Sequence, residues 1–573
     1  MSEHRKSTSE SPNSEKDAVL FAVESKSTVD DVDKVFTGNK PTEEVLKTVD
    51  ELVQTYNLQE YEELLARGAL LANDPELLSS DNYSEWEREK IGKELTHPFL
   101  SLSSGMIWAA LCTSLAAVNF GMDESAVGGA VLGYQQTFNI TNPNIQGLTL
   151  AAPYLAAGVL TLPFTVLLNK KYGRRFIVLI SCFIGVSGSL MQAFSNGLAL
   201  MLFSRLYLGI GMGLCSSTVP IYTAECAPAV SRGAILMLWQ TFIALGVCLG
   251  SVFNRAFVNI EGDLSWRLMI GSSCVAPLIT AFAIFVPPES PRWLIGNGFV
   301  LESLKSLIRL RNTEVSGARD FYILYESLNY EHELAAKLTW SEEIKSLFTN
   351  IRNRFALWVS FVGILGQQYG GVNILVSYTA TILVNAGIDP VTAIAGSIGI
   401  GGGCFLATFL SSQLIDRYGR RTMLILTLPV EGACLFWLGG ILNIEDNQTR
   451  LATGLAAMYV FVLFFGIGIG PISFTLVAET PSITVRMAHS AFAMSLNWLL
   501  DFCLTMTWPK MTVSMTTSGG LYFYGAFNFV VWALAYFTVP ETKRFTLEQL
   551  DEVFKHGVKR FAKQKARQLF RRK

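Results

Sequence analysis

Five ionisable side chains stand inside apolar stretches of the chain: Asp123, Glu124, Arg205, Glu431 and Asp501. A charge held in hydrocarbon is costly, and such residues usually mark function. Asp123 and Arg205 have opposite signs and fall in the same half of the chain, so each can neutralise the other. A carboxylate that trades an arginine for a proton is a workable proton carrier. A second group is uncharged: Gln367, Gln368 and Asn373, within Gly366-Gln-Gln-Tyr-Gly-Gly-Val-Asn373. Amides both donate and accept hydrogen bonds, which suits a neutral polyhydroxylated ligand. An ionic ligand would call for a fixed counter-charge at the same place. Catalytic chemistry has no visible carrier. No nucleophile–base set stands out, the five histidines lack partners at metal-ligand spacing, and the nine cysteines lie in or beside apolar runs as free thiols. The expectation is therefore no enzyme, no metal and no cofactor, with a proton as the coupling ion.

The elements that must position these groups are membrane helices. Half of the 573 residues are hydrophobic and 16% are charged, a balance that excludes an ordinary soluble domain and nucleic-acid binding. Twelve apolar runs reach the ~20 residues needed to cross a bilayer: 105–132, 147–168, 176–194, 199–221, 234–257, 266–287, 355–383, 392–415, 422–443, 452–477, 490–509 and 521–540. They predict an all-α membrane protein with two six-helix halves. The chain divides into an acidic cytosolic segment (1–104), a first half (105–287), a cytosolic helical loop (288–354), a second half (355–540) and a basic cytosolic tail (541–573). Internal repetition supports the halves. Tyr172-Gly-Arg-Arg175 recurs within Asp416-Arg-Tyr-Gly-Arg-Arg421, Ala224-Glu225…Arg232 recurs as Ala478-Glu479…Arg486, and Pro288-Glu289 recurs as Pro540-Glu541. Three pairs in one order mean a duplicated unit.

Charge sets the orientation. Loops on the side of the two Tyr-Gly-Arg-Arg turns carry eighteen Lys and Arg; the opposite loops carry two, Arg450 and Lys510. The basic side faces the cytosol, with both termini inside. The sequons at Asn139 and Asn447 then face outward, open to glycosylation, and the one at Asn82 faces inward. Residues 1–40 read as disordered. Helical spacing of Val45, Val49, Leu52 and Val53, and of Leu301, Leu304, Leu307 and Ile308, predicts short cytosolic helices. The basic tail reads as an amphipathic helix against anionic lipid or as a solvated end. Spans 1 and 7 are the longest and occupy matching places. Both contain glycine-rich stretches, which predict broken helices around a mid-membrane site. The run Gly466-Ile-Gly-Ile-Gly470, like Gly209–Gly213, reads as close helix packing and not as a phosphate cradle.

The two Tyr-Gly-Arg-Arg turns, together with Pro288-Glu-Ser-Pro-Arg-Trp-Leu294 and Pro540-Glu-Thr-Lys-Arg-Phe-Thr-Leu-Glu-Gln-Leu550, resemble the sugar porter family of the major facilitator superfamily, in its fungal hexose and polyol branch. The resemblance implies roles. Asp123 falls at the proton-binding position of coupled members, with Arg205 as its partner. Gln240, Gln367, Gln368, Asn373 and Asn497 fall at sugar contacts, Tyr378 at an extracellular gate, and Trp498 beside the Asn497 contact. Arg174, Arg175, Glu225, Arg232, Glu289, Arg420, Arg421, Glu479, Arg486 and Glu541 would form a cytosolic charge network that latches the outward-open state.

Four sugar-facing positions depart from the family pattern. Val247 stands where many members have a Gln, Ser377 replaces a Tyr, Cys404 an Asn, and Phe474 a Trp. An unpaired hydroxyl costs about 1–3 kcal/mol, so fructose, a polyol or a less hydroxylated solute fits as readily as glucose. Lys170 also stands where Asp or Asn is usual, opposite Asp416. The implied protein imports a neutral monosaccharide or polyol in symport with a proton, works as a monomer and sits in the plasma membrane. A facilitative uniporter and a non-transporting nutrient sensor are the alternatives.

Overall fold

The computed structural model describes residues 40–80, 82–96, 101–335, 340–442, 444–482, 485–543 and 553–571. The segment expected to be disordered, most of the motif beyond Lys543, and the Asp416 side chain lie outside the described residues. Among the described residues every regular element is helical.

Polar caps start the membrane helices. Ser103 accepts from the Met106 N–H ahead of span 1 (Ser104–Thr137), and Asn142 from the Asn144 N–H ahead of span 2 (Pro143–Tyr172). Asp389 caps span 8 (Pro390–Tyr418) and Asp446 caps span 10 (Asn447–Glu479). Each cap satisfies an N–H that the helix cannot pair itself. Spans 3 to 6 are Arg174–Ala193, Leu198–Cys226, Arg232–Phe257 and Leu264–Ala283; spans 7 and 9 are Ile351–Asn385 and Arg420–Ile441. Ten helical stretches are long and apolar enough to cross a membrane. Span 2, bent by 66° between Leu160 and Phe164, is an eleventh. The stretch Arg486–Thr538 is interrupted at Thr516 (φ 64°, ψ 164°), which divides it into spans 11 and 12.

Two expectations about breaks are corrected. Span 1 is one continuous helix. Its glycines do not unwind it; they admit neighbours. A Cβ at Gly121 would meet the Ile243 carbonyl of span 5, and one at Gly128 would meet the Ser377 carbonyl of span 7. Span 7 is broken as expected, at Gly371 in the left-handed region (φ 98°). Span 10 is broken too, at Gly468 (φ −103°, ψ −109°), in a run read as packing alone. Gly466 does pack closely on span 8, against Ala407.

The helices outside the membrane spans form a small core of their own. Thr42–Tyr56 and Glu62–Asn73 pack Val45, Val49, Leu52, Leu65 and Ala69 against Leu304, Leu307 and Phe321 of Val300–Leu310 and Glu314–Ala335. The N-terminal segment thus docks on the central loop. An ion-pair cluster ties that loop to the bundle: Arg319 pairs with Asp320 at 2.8 Å, Arg311 also pairs with Asp320, and Arg311 donates to the Cys226 carbonyl at the inner end of span 4. Burial pushes the Asp320 carboxyl up, but the Arg319 and Arg311 guanidinium groups outweigh it and hold it at about 2. A depressed carboxyl stabilises the fold above its unfolded pKa and loses that contribution as pH falls through the folded value. Asp320→Asn is therefore expected to loosen the loop at neutral pH, read as faster hydrogen exchange in 300–335. The difference between variant and wild type should shrink as pH falls from about 4 toward about 2. The tail helix Val558–Arg571 sets Phe561 against Phe355 of span 7, ring centroids 5.7 Å apart, so its apolar face has a protein partner.

Candidate functional site

A central cavity of about 750 Å³, counting its open mouth, lies between the halves. Gln240, Gln367, Gln368, Asn373, Phe474, Asn497 and Trp498 all line it. The break in span 7 places Gln367 and Gln368 on one side and Asn373 on the other of a single turn of irregular backbone. The amides there are linked. Asn373 Nδ2 donates to Gln368 Oε1 at 2.6 Å, Gln368 Nε2 to Asn497 Oδ1 at 2.9 Å, and Ser473 Oγ to Gln367 Oε1 at 2.7 Å. This chain ties spans 7, 10 and 11 together and fixes the orientation of each amide. Gln240 is only 7% exposed, and its Oε1 has no hydrogen-bond partner. Trp498 Nε1 donates across the interface to Ser216 Oγ of span 4 at 2.9 Å.

Asp123 and Arg205 meet outside the cavity lining, within the first half. Arg205 Nη1 donates to Asp123 Oδ2 at 2.9 Å, and the two residues are 1% and 3% exposed, arginine first. The guanidinium also donates to the carbonyls of Thr149 (2.9 Å) and Leu150 (2.8 Å) of span 2. Asp123 Oδ1 accepts nothing. The carboxylate is thus half satisfied, beside a fully engaged arginine. Its sequence neighbour Glu124 faces the cavity.

The end of the bundle that carries the Asn139 and Asn447 loops is closed. Tyr378, Trp508 and Tyr524 form a buried aromatic layer, with ring centroids 6.3 and 6.1 Å apart, and Tyr378 Oη donates to the Thr505 carbonyl at 2.9 Å. Gly147, near the outer start of span 2, lies so close to Met506 that a Cβ would fall 2.3 Å from its carbonyl oxygen. Asn139 and Asn447 are exposed at that end.

At the opposite end of the bundle the duplicated motifs build two matching clusters. Arg174 pairs with Glu225, and Arg420 with Glu479, at 2.8 and 2.9 Å. Glu289 accepts the backbone N–H groups of Arg174 (3.0 Å) and Arg175 (3.2 Å). Glu541 accepts those of Arg420 (2.8 Å) and Arg421 (3.2 Å). Each carboxylate sits on a helix N-terminus, where exposed N–H groups and the helix dipole favour an anion. The preceding glycines, Gly173 (φ 81°) and Gly419 (φ 94°), make this approach possible; a Cβ would fall 2.7 and 2.4 Å from the Glu289 and Glu541 carboxylates. Gly419→Ala is thus expected to strain the turn and expel Glu541 from its seat. The loss is about 1–3 kcal/mol, measured as a lower Tm of the detergent-purified protein, and Gly173→Ala should match it in the first half. Arg232 is exposed and stands outside both clusters, near Arg486 at the start of span 11. The Arg174–Glu225 pair is internal to one half and the Arg420–Glu479 pair to the other.

Sequence reasoning marked Glu124 and Asp501 as charges in spans but gave them no place; both line the cavity. Tyr154 of span 2 and Ile400 and Gly401 of span 8 were not expected there and also line it, beside the expected Cys404. Their only sequence signal is a polar or small residue in an apolar run, which does not say which way it points. Glu431 is fully buried in span 9, away from the cavity lining.

Two six-span halves around a polar central cavity, sealed on one side, define a transporter of the major facilitator type. Residues 109–554 match the sequence model of the family described as sugar (and other) transporter, and the chain belongs to that family. It is 30% identical over 457 residues to a myo-inositol transporter of Gibberella moniliformis, covering 77% of each chain. It is 27% identical over 453 residues to the galactose-proton symporter of Escherichia coli (78% of this chain, 94% of that one), and 27% identical over 464 residues to probable polyol transporter 3 of Arabidopsis thaliana (78% and 91%). The fold is shared with the xylose transporter of E. coli in a partially occluded inward-open conformation, at TM-score 0.65 and 20% identity over 77% of this chain and 99% of that one. These relatives are transporters and not enzymes, and the protein is an integral multi-pass membrane protein.

Proposed function

We propose that the protein imports a neutral monosaccharide or a polyol together with a proton, by alternating access, across the plasma membrane, and that a single chain suffices. The observation that carries this reading is the sealed Asp123–Arg205 pair standing one residue along the helix from a cavity walled by oriented amides. Gln240, Gln367, Gln368, Asn373 and Asn497 hold substrate hydroxyls, Phe474 packs a sugar face, and Tyr378 and Trp498 close over it. Protonation of Asp123 frees Arg205 from its carboxylate, and the loaded carrier turns. The inner clusters, each within its own half, separate when the outside closes and meet when it opens. Relatives named for polyols, galactose with a proton, and myo-inositol support the substrate class.

The test is expression in cells lacking hexose carriers, with labelled hexoses and polyols offered at two pH values. Uptake that rises at the lower pH and alkalinises the medium is expected. Uptake with no pH signal would leave a facilitator, and no uptake of any neutral solute would overturn the transport reading.

A further inference from the structure

The described lining of the cavity holds two carboxylates and no opposing cation. Glu124 and Asp501 both line it, and its described lining includes no Lys, Arg or His. Arg205 lies outside the lining, committed to Asp123 and two carbonyls. Glu124 Oε1 accepts from Ser377 Oγ at 3.3 Å, across the interface of the halves, and Asp501 Oδ1 accepts from Thr505 Oγ1 at 3.2 Å on its own helix. Neither hydroxyl can neutralise a carboxylate, so each acid must hold a proton or meet a cation. An independent feature points the same way. Gln240, more than nine-tenths buried, also lines this cavity, and its Oε1 has no hydrogen-bond partner. The amides of span 7, in contrast, spend several of their polar atoms on one another. The open capacity is thus for a ligand that donates. The adjoining wall is aromatic: Trp498 stacks on Tyr154 and on Phe120, each with centroids 5.8 Å apart. Aromatic rings with carboxylates and a free carbonyl are the surroundings that attract an ammonium group.

We infer that the cavity takes a polyhydroxylated solute bearing one protonated amine, an amino sugar, in preference to its neutral parent, with the ammonium between Glu124 and Asp501 and the hydroxyls on the amides. This rests on the reading of the cavity as a hexose or polyol site. An ammonium supplies three donors and a positive charge. It can take the place of a proton on one of the acids, an exchange that a neutral hydroxyl cannot make.

The test uses the full chain in cells lacking hexose carriers, at pH 6, where the amines are charged. Glucosamine, galactosamine and mannosamine compete against a labelled neutral hexose or polyol that the protein takes up, beside their parent hexoses and N-acetylated forms. The expected result is that at least one amine competes about tenfold more tightly than its parent. Its N-acetylated form, which has no charge, loses that advantage. In Asp501→Asn and Glu124→Gln the amine-to-parent ratio should fall toward one, a ratio that reduced expression does not alter. Equal competition by amine and parent in the wild type, or a preference untouched by both variants, would overturn the inference while leaving hexose transport standing. If no hexose or polyol enters at all, the transport reading fails and the inference falls with it.

Discussion

Asp123→Asn should abolish uphill accumulation of substrate while exchange of substrate across the membrane persists. Asparagine has the shape of the carboxyl group, and its carbonyl can still accept from Arg205 Nη1, which lies 2.9 Å from Asp123 Oδ2. The guanidinium keeps its bonds to the Thr149 and Leu150 carbonyls, so the packing of spans 1, 2 and 4 should survive. What asparagine cannot do is take a proton outside and release it inside. The energy at stake is large. A potential of about 100 mV supplies about 2.3 kcal/mol per charge, and one pH unit adds about 1.4 kcal/mol. Together they sustain a gradient of roughly 500-fold. The steady-state ratio of internal to external solute should therefore drop from as much as that value to about one, with counterflow retained. Unchanged accumulation in the variant would place the proton elsewhere, with Glu124 and Asp501 of the open cavity as the groups to examine.

Arg205→Leu should be more damaging to the fold than to any single transport step. Arg205 serves four acceptors at once: Asp123, Gln192 and two span 2 carbonyls. Leucine leaves all of them buried, and one is a carboxylate that already has an unsatisfied oxygen. Breaking a buried pair by removing one partner costs about 3–5 kcal/mol, enough to lower the yield of folded protein sharply. Measured as the Tm of detergent-purified protein, the single variant should fall well below Asp123→Asn. The double variant Asp123→Asn/Arg205→Leu should recover part of the loss, because no charge is then stranded. Arg205→Lys keeps the charge but cannot serve three directions with a planar fork, and should fall between. An Asp123→Asn change in Tm of the same size and sign in the wild-type and Arg205→Leu backgrounds would show that the pair contributes no coupling energy.

Most of the architecture was legible in the chain. Apolar runs of membrane length, the bias of arginine and lysine to alternate loops, and the paired Tyr-Gly-Arg-Arg and Pro-Glu motifs are local or compositional signals. They survive any packing of the helices. Glu289 and Glu541 illustrate this: each repeat carries its own glycine turn and its own carboxylate, and each builds the same anion seat. The amides of span 7 were legible for a related reason, since Gly370-Gly371 interrupts the helix next to them.

Other features were not. Glycine-rich stretches in spans 1, 7 and 10 look alike as text. Whether a glycine admits a neighbour's backbone, as Gly121 and Gly128 do, or breaks its own helix, as Gly371 and Gly468 do, depends on what lies opposite. Glu124 and Asp123 are adjacent in the chain, yet one faces the cavity and the other an arginine 82 residues away. A turn of about 100° between successive helical residues separates the two surroundings, and the rotation of span 1 about its axis sets which residue meets which. By itself, the order of residues determined a twelve-span carrier in two repeated halves and a short set of polar groups inside it. Only the packing of the halves decided that Glu124, 253 residues from its Ser377 partner, joins Asp501 in one cavity. Contacts between faces of separate helices set that arrangement, and residue spacing within a single helix carries no record of it.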